Sequence, residues 1–255
     1  MNSLTVIIPC YNEDKTVNEL INLLSNLVKS NTETGANKLK FIFIDDGSSD
    51  NTSFYLKESL SKSSLEYTLI SNDINQGKSA SVLNAVKILK TTHFLVFDAD
   101  LEIDVSDILK LWNVVLNKKS DFVFGYRTFL SHSSFSYNYT LGNKIISNLF
   151  GLLYNQVITD VLCGIKLLPT SFAKYLNANT RNFCLEAEIA IKMCKYSYIP
   201  YEIPINYKAR TRLEGKTISV KDALDIFLKI ILNRIKIRRN KNLKKSFFLN
   251  LDTRS

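Results

Sequence analysis

The chain has 255 residues, of which 45% are hydrophobic and 22% charged, an ordinary globular balance with room for one α/β domain and an appendage. Its net charge of +9 is local: Lys229, Arg234, Lys236, Arg238, Arg239, Lys241, Lys244 and Lys245 lie in one acid-free stretch, and the remaining charges nearly balance. That distribution argues against a body-wide nucleic-acid-binding face, and the tail offers only Phe247 and Phe248 for stacking on bases.

Other classes are excluded by what the chain contains. Cys10, Cys163, Cys184 and Cys194 form no C-x-x-C pair in a chain too large to need a disulfide framework, so reduced thiols are expected. Two histidines, His93 and His132, argue against a His-rich zinc site. The start, Met1-Asn2-Ser3-Leu4-Thr5, lacks the basic region of a signal peptide, and no apolar window reaches the roughly 18 residues a membrane span needs. A cytoplasmic location is expected.

Leu4 to Ile8 is a β-branched run closed by Pro9 and predicts the first strand, with Cys10-Tyr11-Asn12-Glu13 as its turn. Thr16 to Val28 carries apolar residues at helical spacing. Ser30 to Lys38 is the one long loop-like stretch. Phe41 to Ile44 predicts a second strand, closed by Asp45-Asp46-Gly47-Ser48, and Ser49 or Asp50 suits the cap of the next helix. Tyr67 to Ile70 predicts a third strand, and Asn75-Gln76-Gly77-Lys78 leads into a helix running to Leu89. Phe94 to Phe97 is a fourth strand apolar enough to be buried on both faces. Asp104 to Leu116 is helical and Phe122 to Phe124 a fifth strand; Tyr139 to Tyr154 and Asn182 to Lys195 read as further helices, before a last strand near Ile203. Strands alternating with helices imply a mainly parallel sheet flanked by helices.

The chemistry-bearing residues sit just after the strands. Asp98 and Asp100 come at the end of the fourth strand, where open α/β sheets bind ligands. In an extended chain such i, i+2 carboxylates project together, and two hard oxygens invite Mg²⁺ or Mn²⁺. Glu102, one step further, is a third candidate oxygen, or an acid favoured at a helix N-terminus. Pro9 to Glu13, Asp45 with Asp46, and Gly125-Tyr126-Arg127 reach the same edge.

Val6-Ile7-Ile8-Pro9-Cys10-Tyr11-Asn12-Glu13, Asp45-Asp46-Gly47-Ser48-Ser49-Asp50-Asn51-Thr52 and Asp98-Ala99-Asp100, in this order, resemble the family two glycosyltransferases, inverting enzymes of GT-A fold that use nucleotide-sugar donors. Asn75-Gln76-Gly77-Lys78, Gly125-Tyr126-Arg127, Leu141-Gly142-Asn143-Lys144 and Thr159-Asp160 are similar to the branch of dolichyl-phosphate mannosyltransferases and bacterial polyprenyl-phosphate glycosyltransferases. So are Cys163-Gly164-Ile165-Lys166, Leu185-Glu186-Ala187-Glu188, Glu202 to Tyr207, Arg210 and Glu214-Gly215-Lys216. Three features depart from that branch: Tyr137 and Asn138 occupy the region where some members carry a second arginine, Leu162 stands where many carry an acid, and Thr217 where many carry a second lysine.

The resemblance implies roles. Pro9, Tyr11, Glu13, Ile44, Asp45, Asp46, Lys78, Asp98, Ala99 and Asp100 bind the donor, with Tyr11 a flat face for a base and an acid such as Asp46 an acceptor for a base N–H. Asp98, Asp100 and Glu102 hold the cation. Arg127, Arg210 and Lys216 bind donor or acceptor phosphate, the last two from a mobile loop. Asp160 is the acceptor-side carboxylate, as base or as orienting group. One of Glu186 and Glu188 is expected at the site and the other in solvent.

The expected organisation is a GT-A domain at 1–217, an amphipathic basic helix at 218–245 and a tail at 246–255. A wide apolar face beside a basic cluster predicts peripheral contact with the cytoplasmic face of an anionic membrane or with a membrane-protein partner. The expected activity is sugar transfer from a UDP- or GDP-sugar to a polyprenyl phosphate. The alternatives are a saccharide hydroxyl acceptor, as in surface-polysaccharide assembly, and a non-catalytic sugar-nucleotide-binding scaffold.

Overall fold

A computed structural model describes residues 2–31, 39–128, 137–176, 185–208 and 220–239. Among the described residues seven strands make one sheet: β1 (Leu4–Cys10), β2 (Leu39–Asp45), β3 (Tyr67–Ser71), β4 (His93–Val96), β5 (Val123–Arg127), β6 (Lys166–Pro169) and β7 (Tyr201–Ile205). Their spatial order is β3-β2-β1-β4-β6-β5-β7. The pairs β1–β2, β1–β4, β2–β3 and β5–β7 are parallel, whereas β6 is antiparallel to both β4 and β5. The sheet is therefore mixed but mostly parallel.

Seven α-helices among the described residues flank it: α1 (Val17–Ser30), α2 (Thr52–Lys62), α3 (Lys78–Val86), α4 (Ser106–Leu116), α5 (Tyr137–Tyr154), α6 (Leu185–Lys195) and α7 (Val220–Arg239). The alternation of strand side chains sorts them into two layers. Val6 and Ile8 face the core built with Leu20, Leu56 and Trp112 of α1, α2 and α4. Ile7, Phe94 and Val96 face the other core, with Val82, Phe150, Ile191 and Ile230 of α3, α5, α6 and α7. Burial on both faces explains why these strands are near-continuous apolar runs.

Several boundaries differ from the sequence reading. β5 runs on through Gly125, Tyr126 and Arg127, which pair with Ile203, Pro204 and Ile205 of β7, so those residues end a strand instead of forming a loop. Gly125 permits this: a Cβ there would lie 2.5 Å from Ile165 Cγ2 and 2.7 Å from Ile205 Cγ2. β4 stops at Val96, and α3 stops at Val86, short of Leu89.

α7 shares a core with the sheet. Ile226, Ile230 and Ile237 are buried, the Tyr154 hydroxyl donates to the Ile230 carbonyl at 3.0 Å, and Lys229 pairs with Glu188 at 2.9 Å. The apolar residues are too many for this one contact. Leu224, Leu228, Leu232 and Ile235 remain exposed along the opposite face. On α5, Leu141, Ile145 and Leu152 are also exposed.

Candidate active site

The ends of β1 and β2 form the first part of the site. Pro9 pairs with Ile44 and Cys10 with Asp45, and the Asp46 N–H donates to the Cys10 carbonyl at 2.9 Å. Asn12, with φ of 54°, accepts the Ser49 N–H at 2.9 Å on Oδ1 and donates its own N–H to Ser48 Oγ at 3.1 Å. The Glu13 N–H donates to Thr52 Oγ1 at 2.8 Å, and the Glu13 carboxylate accepts the Thr16 hydroxyl. Two loops are thus stitched into one ledge with the Tyr11 side chain exposed on it.

The two adjacent acids have different tasks. Asp46 is buried and accepts from Asn72 Nδ2 at 2.7 Å, Ser81 Oγ at 2.7 Å, the Gln76 N–H at 3.0 Å and the Gly77 N–H at 2.7 Å. Its carboxylate clamps the loop between β3 and α3, so the group expected to accept a base N–H is already taken. Asp45 is buried as well, and its Oδ1 accepts the Ser48 N–H at 3.0 Å. Gly47 lets the two loops touch: it sits at φ of 68°, and a Cβ would lie 2.5 Å from the Ile74 carbonyl carbon.

Past β4 the chain turns, and the projected i, i+2 register is lost. Leu101 takes φ of 58°, a strained value for a branched apolar residue, and Asp100 Oδ1 accepts the Glu102 N–H at 3.0 Å. Glu102 is turned away, and its Oε2 accepts the Tyr207 hydroxyl at 2.6 Å. The three acids do not converge: among the described residues no three His, Cys, Asp or Glu side chains are disposed to hold a metal ion. Asp98 and Asp100 remain candidate hard-oxygen ligands by their chemistry, since Mg²⁺ and similar ions commonly take one or two carboxylates plus substrate phosphates.

Asp98 already carries a cation. Lys78 Nζ lies 2.7 Å from Asp98 Oδ1 and 2.9 Å from Oδ2, and 2.8 Å from Glu186 Oε1. Burial opposes the lysine's charge, but Asp98 and then Glu186 outweigh it and hold its pKa above the ordinary range. Glu186 therefore reaches the site. Glu188 is not in solvent as expected: it is buried against Lys229 of α7.

The third group lies at the end of β5. Arg127 Nε is 2.6 Å from Asp160 Oδ2 and Nη2 is 2.8 Å from Oδ1, a two-pronged pair buried at 12% and 6% side-chain exposure. Burial raises the Asp160 pKa, but the Arg127 guanidinium more than offsets this and holds it below the usual carboxylate range. The guanidinium also lies 5.3 Å from the Tyr207 ring centroid. Lys166, fully buried, donates to the carbonyls of Val161 and Cys163 and sits over Phe124, holding the turn that carries Asp160. Burial pushes its pKa down.

The structure therefore gathers Pro9, Tyr11, Glu13, Ile44 and Asp45 on one ledge, Lys78 with Asp98, and Arg127 with Asp160. Arg210 and Lys216 lie outside the described residues, as does Cys184. Sequence reasoning missed Lys166 and Tyr207 as working parts. The signal for Lys166 was a lysine inside the apolar run Ile165 to Leu168; for Tyr207 there was none beyond its place in a motif.

The dolichyl-phosphate beta-glucosyltransferase ALG5A of Trichomonas vaginalis is 24% identical, over 91% of this chain and 74% of its own. The UDP-N-acetylglucosamine–dolichyl-phosphate N-acetylglucosaminyltransferase of Methanococcus voltae is 25% identical, over 89% and 94%. The fold is similar to glucosyl-3-phosphoglycerate synthase from Mycobacterium tuberculosis, crystallised with Mn²⁺, UDP and glucosyl-3-phosphoglycerate, with a TM-score of 0.67, 14% identity and coverage of 91% of this chain and 80% of that one. Residues 5–174 match Glycosyl transferase family 2. The chain therefore belongs to glycosyl transferase family 2 and is a glycosyltransferase.

Proposed function

We propose that this chain transfers a sugar from a UDP- or GDP-sugar to a polyprenyl or dolichyl phosphate at a membrane surface, with Mg²⁺ or Mn²⁺. The observation that carries the acceptor class is the Arg127–Asp160 pair. A saccharide hydroxyl needs a base to remove its proton. Asp160, the candidate for that work, has both oxygens on Arg127 and a lowered pKa. A phosphate acceptor, with a second pKa near ~6, is already anionic and needs no strong base. Asp160 then orients Arg127 for the acceptor phosphate. Both dolichyl-phosphate relatives support this reading.

Asp45 and Tyr11 hold the nucleoside, and Asp98 and Asp100 hold the cation. That ion would offset charge developing on the departing diphosphate. Arg210 and Lys216 complete the phosphate contacts. The test is a screen of UDP- and GDP-sugars with Mn²⁺ or Mg²⁺, against a polyprenyl phosphate and a saccharide acceptor. Product on the lipid phosphate is expected, reduced in Arg210→Ala and Lys216→Ala. Transfer to the saccharide alone overturns the acceptor assignment.

The membrane contact is proposed for α7. Its Leu224, Leu228, Leu232, Ile235 and Lys236 are exposed, whereas Lys229 and Arg234 are engaged on the inner side, and no described helix is long and apolar enough to cross a membrane. Each cation near an anionic surface contributes roughly 1 kcal/mol at physiological salt. The chain would sit peripherally on the cytoplasmic face. Flotation with anionic vesicles should be salt-sensitive and should fall in Leu224→Ser/Leu228→Ser/Leu232→Ser, which spares the inner face of α7. Equal flotation of both proteins would remove α7 as the contact.

A further inference from the structure

Lys78 occupies a position that the metal-dependent reading leaves unexplained. Its ammonium bridges Asp98 and Glu186, with 22% side-chain exposure for the lysine and 9% for Glu186. The arrangement is boxed in from behind. A Cβ on Gly164 would lie 2.6 Å from Asp98 Oδ2 and 3.5 Å from Lys78 Nζ, so the turn after Asp160 closes directly onto the pair. Gly77, at φ of 86°, starts α3 with Lys78 as its first residue, and the Gly77 N–H is tied to Asp46. Lys78 is therefore fixed at its backbone by the clamp on the neighbouring loop, and its side chain has two anionic seats.

A divalent ion bound to Asp98 would meet a like charge already on that carboxylate. At this range, and at the effective dielectric of a protein site, such repulsion disfavours both cations sharing the carboxylate. Glu186 offers an exit, because the ammonium can keep one carboxylate while releasing the other. A diphosphate arriving with the ion supplies further negative charge for both cations.

We propose that Lys78 is a placeholder cation, which occupies Asp98 when donor is absent, moves its hydrogen bonds toward Glu186 and the donor diphosphate when donor is present, and so makes metal binding depend on nucleotide. The proposal rests on the metal-dependent reading above. Free metal is a poor competitor for Asp98, whereas metal with nucleoside diphosphate is a good one. Lys78 is thus a positioning residue for the ion as well as a donor contact, and Glu186 is its second seat.

The test measures Mn²⁺ affinity directly on the full chain, by calorimetry or by the electron-spin resonance of free Mn²⁺, alone and with UDP or GDP. Wild type should bind Mn²⁺ weakly alone and more tightly with one of the nucleotides. Lys78→Met should bind Mn²⁺ alone at least about tenfold more tightly, with a smaller gain on adding nucleotide. Glu186→Gln should move the other way, since Lys78 then rests on Asp98 alone. Glu188→Gln, which removes an acid of the same helix that is paired elsewhere, should leave Mn²⁺ affinity unchanged. Unaltered or weaker binding by Lys78→Met overturns the proposal, as does wild-type affinity that is equal with and without nucleotide. If Lys78→Met fails to fold, an unchanged Glu186→Gln affinity alone overturns it. Absence of Mn²⁺ binding by wild type with either nucleotide overturns both this proposal and the metal-dependent reading.

Discussion

Asp100→Asn lowers sugar transfer about 100-fold or more while leaving the melting temperature unchanged. The two halves of this expectation have separate causes. The fold is spared because Asp100 meets its own turn through Oδ1, which accepts the Glu102 N–H at 3.0 Å, and asparagine keeps a carbonyl oxygen for that bond. Transfer is lost because the substitution removes one of the two negative charges offered to the cation. Steady-state rates at saturating Mn²⁺ and donor, with a melting curve on the same sample, check both. Full turnover would sink the cation assignment, and a collapsed melting curve would show that the carboxylate serves the turn instead.

Arg127→Met costs about 3–5 kcal/mol of stability, because it strands a buried carboxylate. Asp160 has only 6% of its side chain exposed. In wild type the folded pKa of Asp160 is lowered, so the pair's contribution is complete above the ordinary carboxylate range and is lost as pH falls through the lowered value. In the variant, burial without the guanidinium raises that pKa. The sign then reverses, and the variant's deficit shrinks as pH falls from about 7 toward about 4. Denaturant titrations of both proteins at several pH values measure this. Arg127→Met/Asp160→Leu should recover much of the stability yet remain inactive toward a lipid phosphate. An active double variant would reduce the pair to a structural strut.

Much of this architecture is legible in the sequence, for identifiable reasons. β1, β2 and β4 are buried on both faces and therefore spell themselves as apolar runs, and each leads into acids at the ligand-binding edge. β6 is not legible. It has four residues, begins with Lys166 and ends with Pro169, and its antiparallel direction is decided by pairing with His93 to Val96. No local pattern carries that information. The same limit governs the charges. Asp45 and Asp46 are adjacent and chemically identical, and only the position of Asn72, Gln76, Gly77 and Ser81 decides that Asp46 is consumed as a clamp. Lys78 and Glu186 are 108 positions apart, so helix periodicity finds Glu186 on a face without revealing what that face meets. The α7 stripe was readable as wide. Its division into an inward face at Ile226, Ile230 and Ile237 and an outward face at Leu224, Leu228 and Leu232 required the surface it packs against.

The direction of β6 also sets where the chain tolerates change. Every other strand delivers its C-terminal end to the chemical edge. A strand running the opposite way delivers its N-terminal end there, which is why Gly164 lies against Asp98 and why Asp160 reaches Arg127. The C-terminal end of β6 emerges at the far rim, where the Thr170 N–H donates to the Thr92 carbonyl just before β4 begins, and a short 3-10 helix at Thr170–Tyr175 covers that end. A residue added after Pro169 therefore disturbs the far rim and the buried Phe172, away from the substrates, whereas one added between Asn155 and Ile165 displaces groups on both the donor and the acceptor side.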